Sequence, residues 1–131
     1  MVSPPRGVSG VRVLLVDDEP DQLEMYQYAL EGAGFTVFSA QTGDLAVERA
    51  RRLAPDVIVL DVRLPDMTGW DVCSILKSDP RTSRIPIVIL TAVATPTLAQ
   101  EAASYGCAAH LLKPCYPDEL TKAVRAVVAA A

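Results

Sequence analysis

Residues 57–69 read VIVLDVRLPDMTG and indicate the fold of the whole chain. Four aliphatic residues end on a single carboxylate, Asp61, and a loop that contains proline and glycine follows. An uninterrupted apolar run of this length is typical of a strand that is covered on both faces of a parallel sheet. Ligands of open α/β sheets bind at the carboxyl ends of the strands. The segment therefore predicts a buried strand that presents Asp61 at the functional edge of a sheet.

Apolar runs of strand length recur along the chain and alternate with segments of helical periodicity. The predicted strands cover residues 11–16, 35–39, 57–60, 87–90 and 108–112. Helix-start signals predict a first helix that begins at Pro20 and a second that is capped by Thr42 or Asp44. The third is expected to begin at Gly69, the fourth at Pro96 with Thr95 as its N-cap, and the fifth at Pro117. The first helix is expected to end near Gly32 and Gly34, the third at Ser78 and the fourth at Gly106. This alternation predicts an α/β domain of the (βα)5 type, a doubly wound five-stranded parallel sheet with helices on both faces.

The composition is that of one acidic globular domain. The chain has 131 residues, half of them hydrophobic, and a formal net charge of -4, so neither nucleic acid nor a membrane is predicted as a direct partner. Residues 1–10 are predicted to form a flexible tail and residues 11–131 the domain. Three cysteines without a close pairing motif argue against a disulfide framework or a zinc site. Cys73 and Cys107 are expected to pack as small apolar groups in a reducing, cytoplasmic compartment.

Polar residues stand at the carboxyl ends of four predicted strands. Because parallel strands end at the same edge of a sheet, this edge is expected to collect Asp17, Asp18, Asp61, Thr91 and Lys113. Three neighbouring carboxylates repel one another unless a cation lies among them, and Mg²⁺ prefers such oxygen ligands. A divalent cation, an ammonium group and a hydroxyl around a carboxylate suit a phosphoryl group. The sequence therefore predicts a magnesium-dependent phosphoryl site.

The motifs around these residues resemble those of the receiver domain of two-component response regulators. They are LLVDDE at 14–19, LD at 60–61 with LPDMTG at 64–69, ILTA at 89–92 and LKP at 112–114. The resemblance extends over about residues 11–128. It implies a flavodoxin-like receiver fold and a signalling switch that is driven by phosphorylation.

The resemblance also implies a role for each acidic residue. Asp61 matches the phosphoacceptor. Asp18 matches the direct Mg²⁺ ligand of the acidic pair, and Asp17 matches the member that acts through water. The backbone carbonyl of Arg63 would complete the protein's share of the coordination.

Three further residues match positions at which members of the family respond to the phosphoryl group. Thr91 matches the switch hydroxyl, and Lys113 matches the lysine that pairs with a phosphoryl oxygen. His110 stands where the family usually has an aromatic side chain that turns inward on activation. The Lys113–Pro114 peptide bond would be cis by the same resemblance.

The implied partners are a sensor histidine kinase or a phosphotransfer protein, and a downstream target or output domain. The phosphoryl group is expected to change the surface formed by the fourth helix, the fifth strand and the fifth helix. The domain would be no enzyme in the ordinary sense, since it would catalyse only its own phosphorylation and dephosphorylation.

Three other classes of protein compete with this interpretation. A haloacid-dehalogenase-type phosphohydrolase also uses a strand-end aspartate, but it needs a second carboxylate where this chain has Arg63. A flavodoxin-like flavin binder would need a loop rich in Ser, Thr and Gly after the first strand, where this chain has DDEP at 17–20. A receiver-shaped adaptor that binds partners without phosphorylation remains open.

Overall fold

The computed structural model describes residues 10–131, so the predicted tail, apart from Gly10, lies outside the described residues. The chain alternates strands and helices from one end of this range to the other. The strands are β1 (Arg12–Val16), β2 (Thr36–Ala40), β3 (Val57–Leu60), β4 (Ile87–Thr91) and β5 (Ala109–Leu112). The helices are α1 (Pro20–Gly32), α2 (Gly43–Leu53), α3 (Gly69–Lys77), α4 (Leu98–Ser104) and α5 (Pro117–Ala130).

The five strands form one parallel sheet in the order β2-β1-β3-β4-β5. Every residue of β3 and β4 is buried, whereas β5 lies at the edge and alternates half-buried with exposed residues. One apolar cluster joins the sheet to α1 and α5, and a second joins its other face to α2 and α3. The predicted (βα)5 doubly wound fold is therefore confirmed, and its central strands carry Asp17 and Asp61 into the middle of the sheet edge.

Local signals explain where most helices begin. Pro20 and Pro117 occupy the first helical position of α1 and α5, where a missing N–H leaves no hydrogen bond unmade. The hydroxyl of Thr42 accepts the N–H of Leu45 at 3.1 Å, which makes Thr42 rather than Asp44 the cap of α2. Gly34 has a φ of 103° after α1, as its predicted place at a left-handed turn requires. No helix within residues 10–131 combines the length and the apolar character that are needed to cross a bilayer.

The prediction for the start of the fourth helix was wrong. Thr95 was expected to be its N-cap, but α4 begins at Leu98 and its N-cap is Thr97. The hydroxyls of Thr95 and Thr97 both donate to Oε1 of Glu101, at 3.0 and 2.9 Å. The N–H of Leu98 donates to the carbonyl of Thr95 at 3.2 Å, so this segment forms a turn ahead of the helix, and the two hydroxyl bonds tie the turn to Glu101 on α4.

Candidate functional site

Three predicted site residues are held by backbone hydrogen bonds that continue the sheet past the ends of its strands. The N–H of Asp17 donates to the carbonyl of Ala40 at 3.1 Å, and that of Asp61 to the carbonyl of Val16 at 3.0 Å. The N–H of Lys113 donates to the carbonyl of Thr91 at 2.9 Å. The sheet itself thus fixes the backbone from which these side chains project.

The ammonium group of Lys113 bridges the two buried aspartates. Its Nζ lies 2.5 Å from Oδ2 of Asp17 and 2.9 Å from Oδ2 of Asp61. All three side chains are largely withdrawn from solvent, with exposed fractions of 10% for Lys113, 3% for Asp17 and 10% for Asp61. Burial lowers the pKa of Lys113, but the hydrogen bonds to the two carboxylates outweigh burial and raise that pKa above its usual value.

The carboxylates of Asp17, Asp18 and Asp61 form a cluster in which one oxygen from each lies within 4.8 Å of the others. Backbone N–H groups orient the two buried members: that of Glu19 donates to Oδ1 of Asp17, and that of Arg63 donates to Oδ1 of Asp61, both at 3.0 Å. Asp18 is exposed and faces solvent. An all-oxygen cluster of this charge is the donor set that Mg²⁺ prefers, so the residues present fit a magnesium ion.

Thr91 and His110 occupy different environments. Thr91 ends β4 and is fully buried, and its hydroxyl oxygen accepts the N–H of Val93 at 3.1 Å. His110 lies on the edge strand β5 beside Ile89 in the register, and its side chain is exposed. The roles of Thr91 and His110 as switch residues stay predictions. The Lys113–Pro114 peptide bond is cis, as the resemblance implied.

The loop between β3 and α3 packs closely on its surroundings. A Cβ atom on Gly69 would lie 2.5 Å from the carbonyl oxygen of Asp61 and 2.7 Å from Cα of Val62, so this position admits only glycine without a backbone shift. Arg63 pairs with Thr68 in an isolated antiparallel bridge across the loop. The use of the Arg63 carbonyl as a metal ligand stays a prediction.

Two contacts near the site were not predicted from the sequence. Both carboxylate oxygens of Asp66 accept backbone N–H groups at the start of α2, from Gly43 at 2.7 Å and Asp44 at 2.9 Å, and these bonds hold the pKa of Asp66 below its usual range. The hydroxyl of Tyr26 on α1 donates to the carbonyl of Cys115 at 3.2 Å. Burial raises the pKa of Tyr26. Only the position of Asp66 in a turn, where aspartate is common, hinted at the first contact, and no sequence signal indicates the second.

Comparison with known proteins agrees with this geometry. Residues 13–125 match the family model described as response regulator receiver domain. The chain is 39% identical over 115 residues to the DNA-binding response regulator MtrA of Mycolicibacterium smegmatis, an alignment that covers 88% of this chain and 49% of that protein. The chain thus spans about half the length of the curated relatives it matches.

Solved structures of receiver domains have the same architecture. The chemotaxis response regulator CheY4 of Vibrio cholerae superposes with a TM-score of 0.83 at 32% identity, over 89% of this chain and 98% of that one. The receiver domain of a Pseudomonas aeruginosa sensor histidine kinase superposes with a TM-score of 0.84 at 28% identity, over 92% and 99% of the two chains. That structure has a magnesium ion coordinated in its active-site cleft. The acidic strand-end cluster, the parallel sheet and the family match together assign this chain to the response regulator receiver domains of two-component signalling.

Proposed function

We propose that the chain is a phosphorylation-driven switch in which Asp61 accepts a phosphoryl group from a partner histidine kinase or phosphotransfer protein. The observation that carries the proposal is the position of Asp61 at the end of the central strand β3, 2.9 Å from the ammonium group of Lys113. A carboxylate that is fixed by the sheet and flanked by a cation suits attack on phosphorus.

In the proposed reaction a carboxylate oxygen of Asp61 forms the new bond to phosphorus. The bond between phosphorus and the partner's histidine nitrogen breaks, and its electron pair stays on the imidazole that leaves. The backbone N–H of Arg63 on Oδ1 of Asp61 keeps the carboxylate in one orientation during attack. Lys113, on the other oxygen, is close enough to neutralise charge on the transferred group.

We propose that Asp17, Asp18 and Asp61, with the backbone carbonyl of Arg63, hold Mg²⁺. When bound, the ion would supply further positive charge for the phosphoryl oxygens. One oxygen from each of the three carboxylates lies within 4.8 Å of the others, and this closeness supports a shared ion. Lys113 already contacts two of these carboxylates, so the ion and the ammonium group would share the negative charge of the cluster.

The proposed switch begins at Thr91. Its hydroxyl oxygen accepts the N–H of Val93, which leaves its own hydrogen available to a phosphoryl oxygen on Asp61. Movement of Thr91 would shift the loop between β4 and α4, and His110 on β5 would then reorient. The changed surface of α4, β5 and α5 would meet a downstream protein target or an output domain, while the acidic domain itself would make no direct contact with nucleic acid. We place this activity in the cytoplasm.

Phosphorylation of the 131-residue chain by acetyl phosphate and Mg²⁺ tests the proposal, with intact-protein mass spectrometry as the readout. The wild-type protein is expected to gain one phosphoryl group, which should be lost again in hydroxylamine because an acyl phosphate is labile. Asp61→Asn should remove the signal. Asp56→Asn is the matched control, since Asp56 precedes β3 at the opposite end of the strand and accepts the N–H of Arg12 at 2.8 Å.

Two outcomes would contradict the proposal. Labelling of Asp61→Asn to the wild-type level would place the phosphoryl group elsewhere. A wild-type protein that stays unmodified, both with acetyl phosphate and with a panel of phosphorylated histidine kinases, would favour an adaptor that works without phosphorylation.

A further inference from the structure

Two of the three cysteines meet between α3 and the loop that precedes β5. Cys73 lies on α3 and is fully buried, while Cys107 follows α4 and is half-buried. Their sulfur atoms lie 3.8 Å apart, although 34 positions separate them in the chain, and both thiols are free. Neither belongs to the acidic site, and the proposed phosphoryl transfer uses neither.

The surrounding structure holds the two sulfurs together. Trp70, one turn before Cys73 on the same face of α3, stacks on Tyr105 with ring centroids 5.0 Å apart and an interplanar angle of 16°. The N–H of Cys107 donates to the carbonyl of Ala102 at 2.9 Å. The aromatic stack holds Tyr105 against α3, and the backbone bond ties Cys107 to the end of α4, so the proximity of the thiols follows from the packing of this segment on α3.

We propose that Cys73 and Cys107 form a reversible intramolecular disulfide when the protein meets a hydroperoxide. Cys107 is the thiol that the oxidant can reach. Its thiolate attacks one peroxide oxygen, the O–O bond breaks, and the products are a sulfenic acid on Cys107 and hydroxide or alkoxide. The sulfur of Cys73 then attacks the sulfur of Cys107, the S–O bond breaks, and the departing hydroxyl group takes up the thiol proton of Cys73 and leaves as water. Overall, two thiols lose two hydrogen atoms and the peroxide is reduced.

The local chemistry favours this order of events. The hydrogen bond from Cys73 and the positive charge of Lys77 hold the pKa of the Cys107 thiol below its usual value, against the effect of burial. The same hydrogen bond, together with burial, raises the pKa of Cys73. A half-buried thiol of lowered pKa beside a buried second thiol is the arrangement of an attacking cysteine and its resolving cysteine.

The geometry requires only a modest closure. A disulfide has a sulfur–sulfur distance of about 2.0 Å, so the two sulfurs, now 3.8 Å apart, must approach by a little under 2 Å. Cys115 is differently placed, because its sulfur lies 3.5 Å from the carbonyl oxygen of Tyr116 and 3.7 Å from a carboxylate oxygen of Glu119. Burial and that carboxylate raise the pKa of Cys115, which disfavours its thiolate.

The experiment oxidises the fully reduced 131-residue chain with hydrogen peroxide under native conditions and counts thiols after denaturation. The thiol count is expected to fall from the three of the sequence to one, with a loss of two hydrogen atoms in the intact mass, and dithiothreitol should restore all three. Peptide mapping should identify a Cys73–Cys107 link. The same link should form more slowly in urea, because the folded structure is what brings the sulfurs together.

Single variants separate the roles of the thiols. Cys115→Ala should form the link at the wild-type rate, whereas Cys73→Ala should instead accumulate a sulfenic acid on Cys107 that dimedone traps. Circular dichroism checks that each variant is folded, and the wild-type mapping does not depend on the variants. The proposal would be overturned if the native protein keeps three thiols or if the links involve Cys115. It would also be overturned if the link forms no faster in the native protein than in urea. The proposed order of attack would be overturned if dimedone labels Cys73 in the Cys107→Ala variant but does not label Cys107 in the Cys73→Ala variant.

Discussion

The bridge from Lys113 to Asp17 and Asp61 makes this lysine a stabilising cation of the metal-free domain, and Lys113→Met tests that role. Methionine keeps an unbranched side chain of similar reach but removes the charge. At an effective dielectric constant of about 20, a pair of unit charges at the observed 2.9 Å gains about 6 kcal/mol, most of which offsets the desolvation of the two ions. Removal of one partner from a buried ion pair costs about 3–5 kcal/mol, because the remaining charge stays buried.

We therefore expect Lys113→Met to lower the free energy of unfolding by about 3–5 kcal/mol in the presence of EDTA, measured by urea denaturation. Mg²⁺ should restore part of this loss, since a cation at the cluster replaces the missing charge. At a free Mg²⁺ concentration of 100 times the Kd, binding stabilises the folded state by about 2.7 kcal/mol. At one fixed Mg²⁺ concentration the gain should be larger in the variant than in the wild type, because Lys113 of the wild type competes for the same carboxylates and so raises the Kd.

The pH dependence of this difference follows from the raised pKa of Lys113. A group whose pKa is raised in the folded state stabilises the fold fully below its unfolded pKa, near 10.5, and loses that contribution as the pH rises through the folded value. The wild type should therefore keep its advantage at neutral pH and lose it only above about pH 10. Lys122→Met, at an exposed position of α5, is the control and should change stability by less than about 0.5 kcal/mol. The reasoning would be refuted if Lys113→Met lowers the free energy of unfolding by less than about 1 kcal/mol. It would also be refuted if Mg²⁺ raises the free energy of unfolding equally in both proteins.

Three further predictions concern the surroundings of the site. Gly69→Ala should destabilise the fold by about 1–3 kcal/mol in urea denaturation, because its Cβ would lie 2.5 Å from the main-chain carbonyl of the residue after β3. Gly32→Ala, with open space around the added Cβ, should not destabilise it, and equal effects of the two variants would contradict the argument. Asp66→Asn should lower the free energy of unfolding at neutral pH, and its difference from the wild type should shrink as the pH falls below about 4 and through the lowered pKa of Asp66. A difference in the free energy of unfolding that is constant with pH would contradict this. Tyr26→Phe should cost about 1 kcal/mol, since it leaves a buried main-chain carbonyl of the β5–α5 loop without its donor, whereas Tyr28→Phe, 81% exposed on the same helix, should have no measurable effect.

Hydrophobic periodicity and turn residues predicted the sheet, the helices and the strand-end residues, because these signals are local. The start of α4 was predicted wrongly because the sequence pattern of an N-cap does not show whether the residue caps the helix. Thr95 followed by proline has the sequence of an N-cap, but Glu101 accepts the hydroxyls of both Thr95 and Thr97. The signal for a helix start was present at Thr95 and Pro96, but the helix begins at Leu98.

The contacts that the sequence did not reveal all join residues that are remote along the chain. Cys73 and Cys107 read singly as small apolar residues, and only the packing of α3 against the loop before β5 brings their sulfurs to 3.8 Å. Tyr26 likewise reads as a core residue of α1, and its hydroxyl meets a carbonyl 89 positions away. Periodicity indicates which face of an element is buried, but it does not indicate which polar atoms meet inside.

The position of Lys113 couples the resting state of the domain to the proposed reaction. In the structure its charge is divided between Asp17 and Asp61, at 2.5 and 2.9 Å. In the proposed reaction a phosphoryl group on Asp61 would add about one further negative charge at neutral pH and so would draw the ammonium group away from Asp17. The Lys113–Asp17 contact would therefore oppose the proposed activation, and Asp17→Asn should shift the population of phosphorylated molecules toward the active conformation even where it weakens Mg²⁺ binding. One carboxylate, that of Asp17, would thus serve the cation site and restrain the switch.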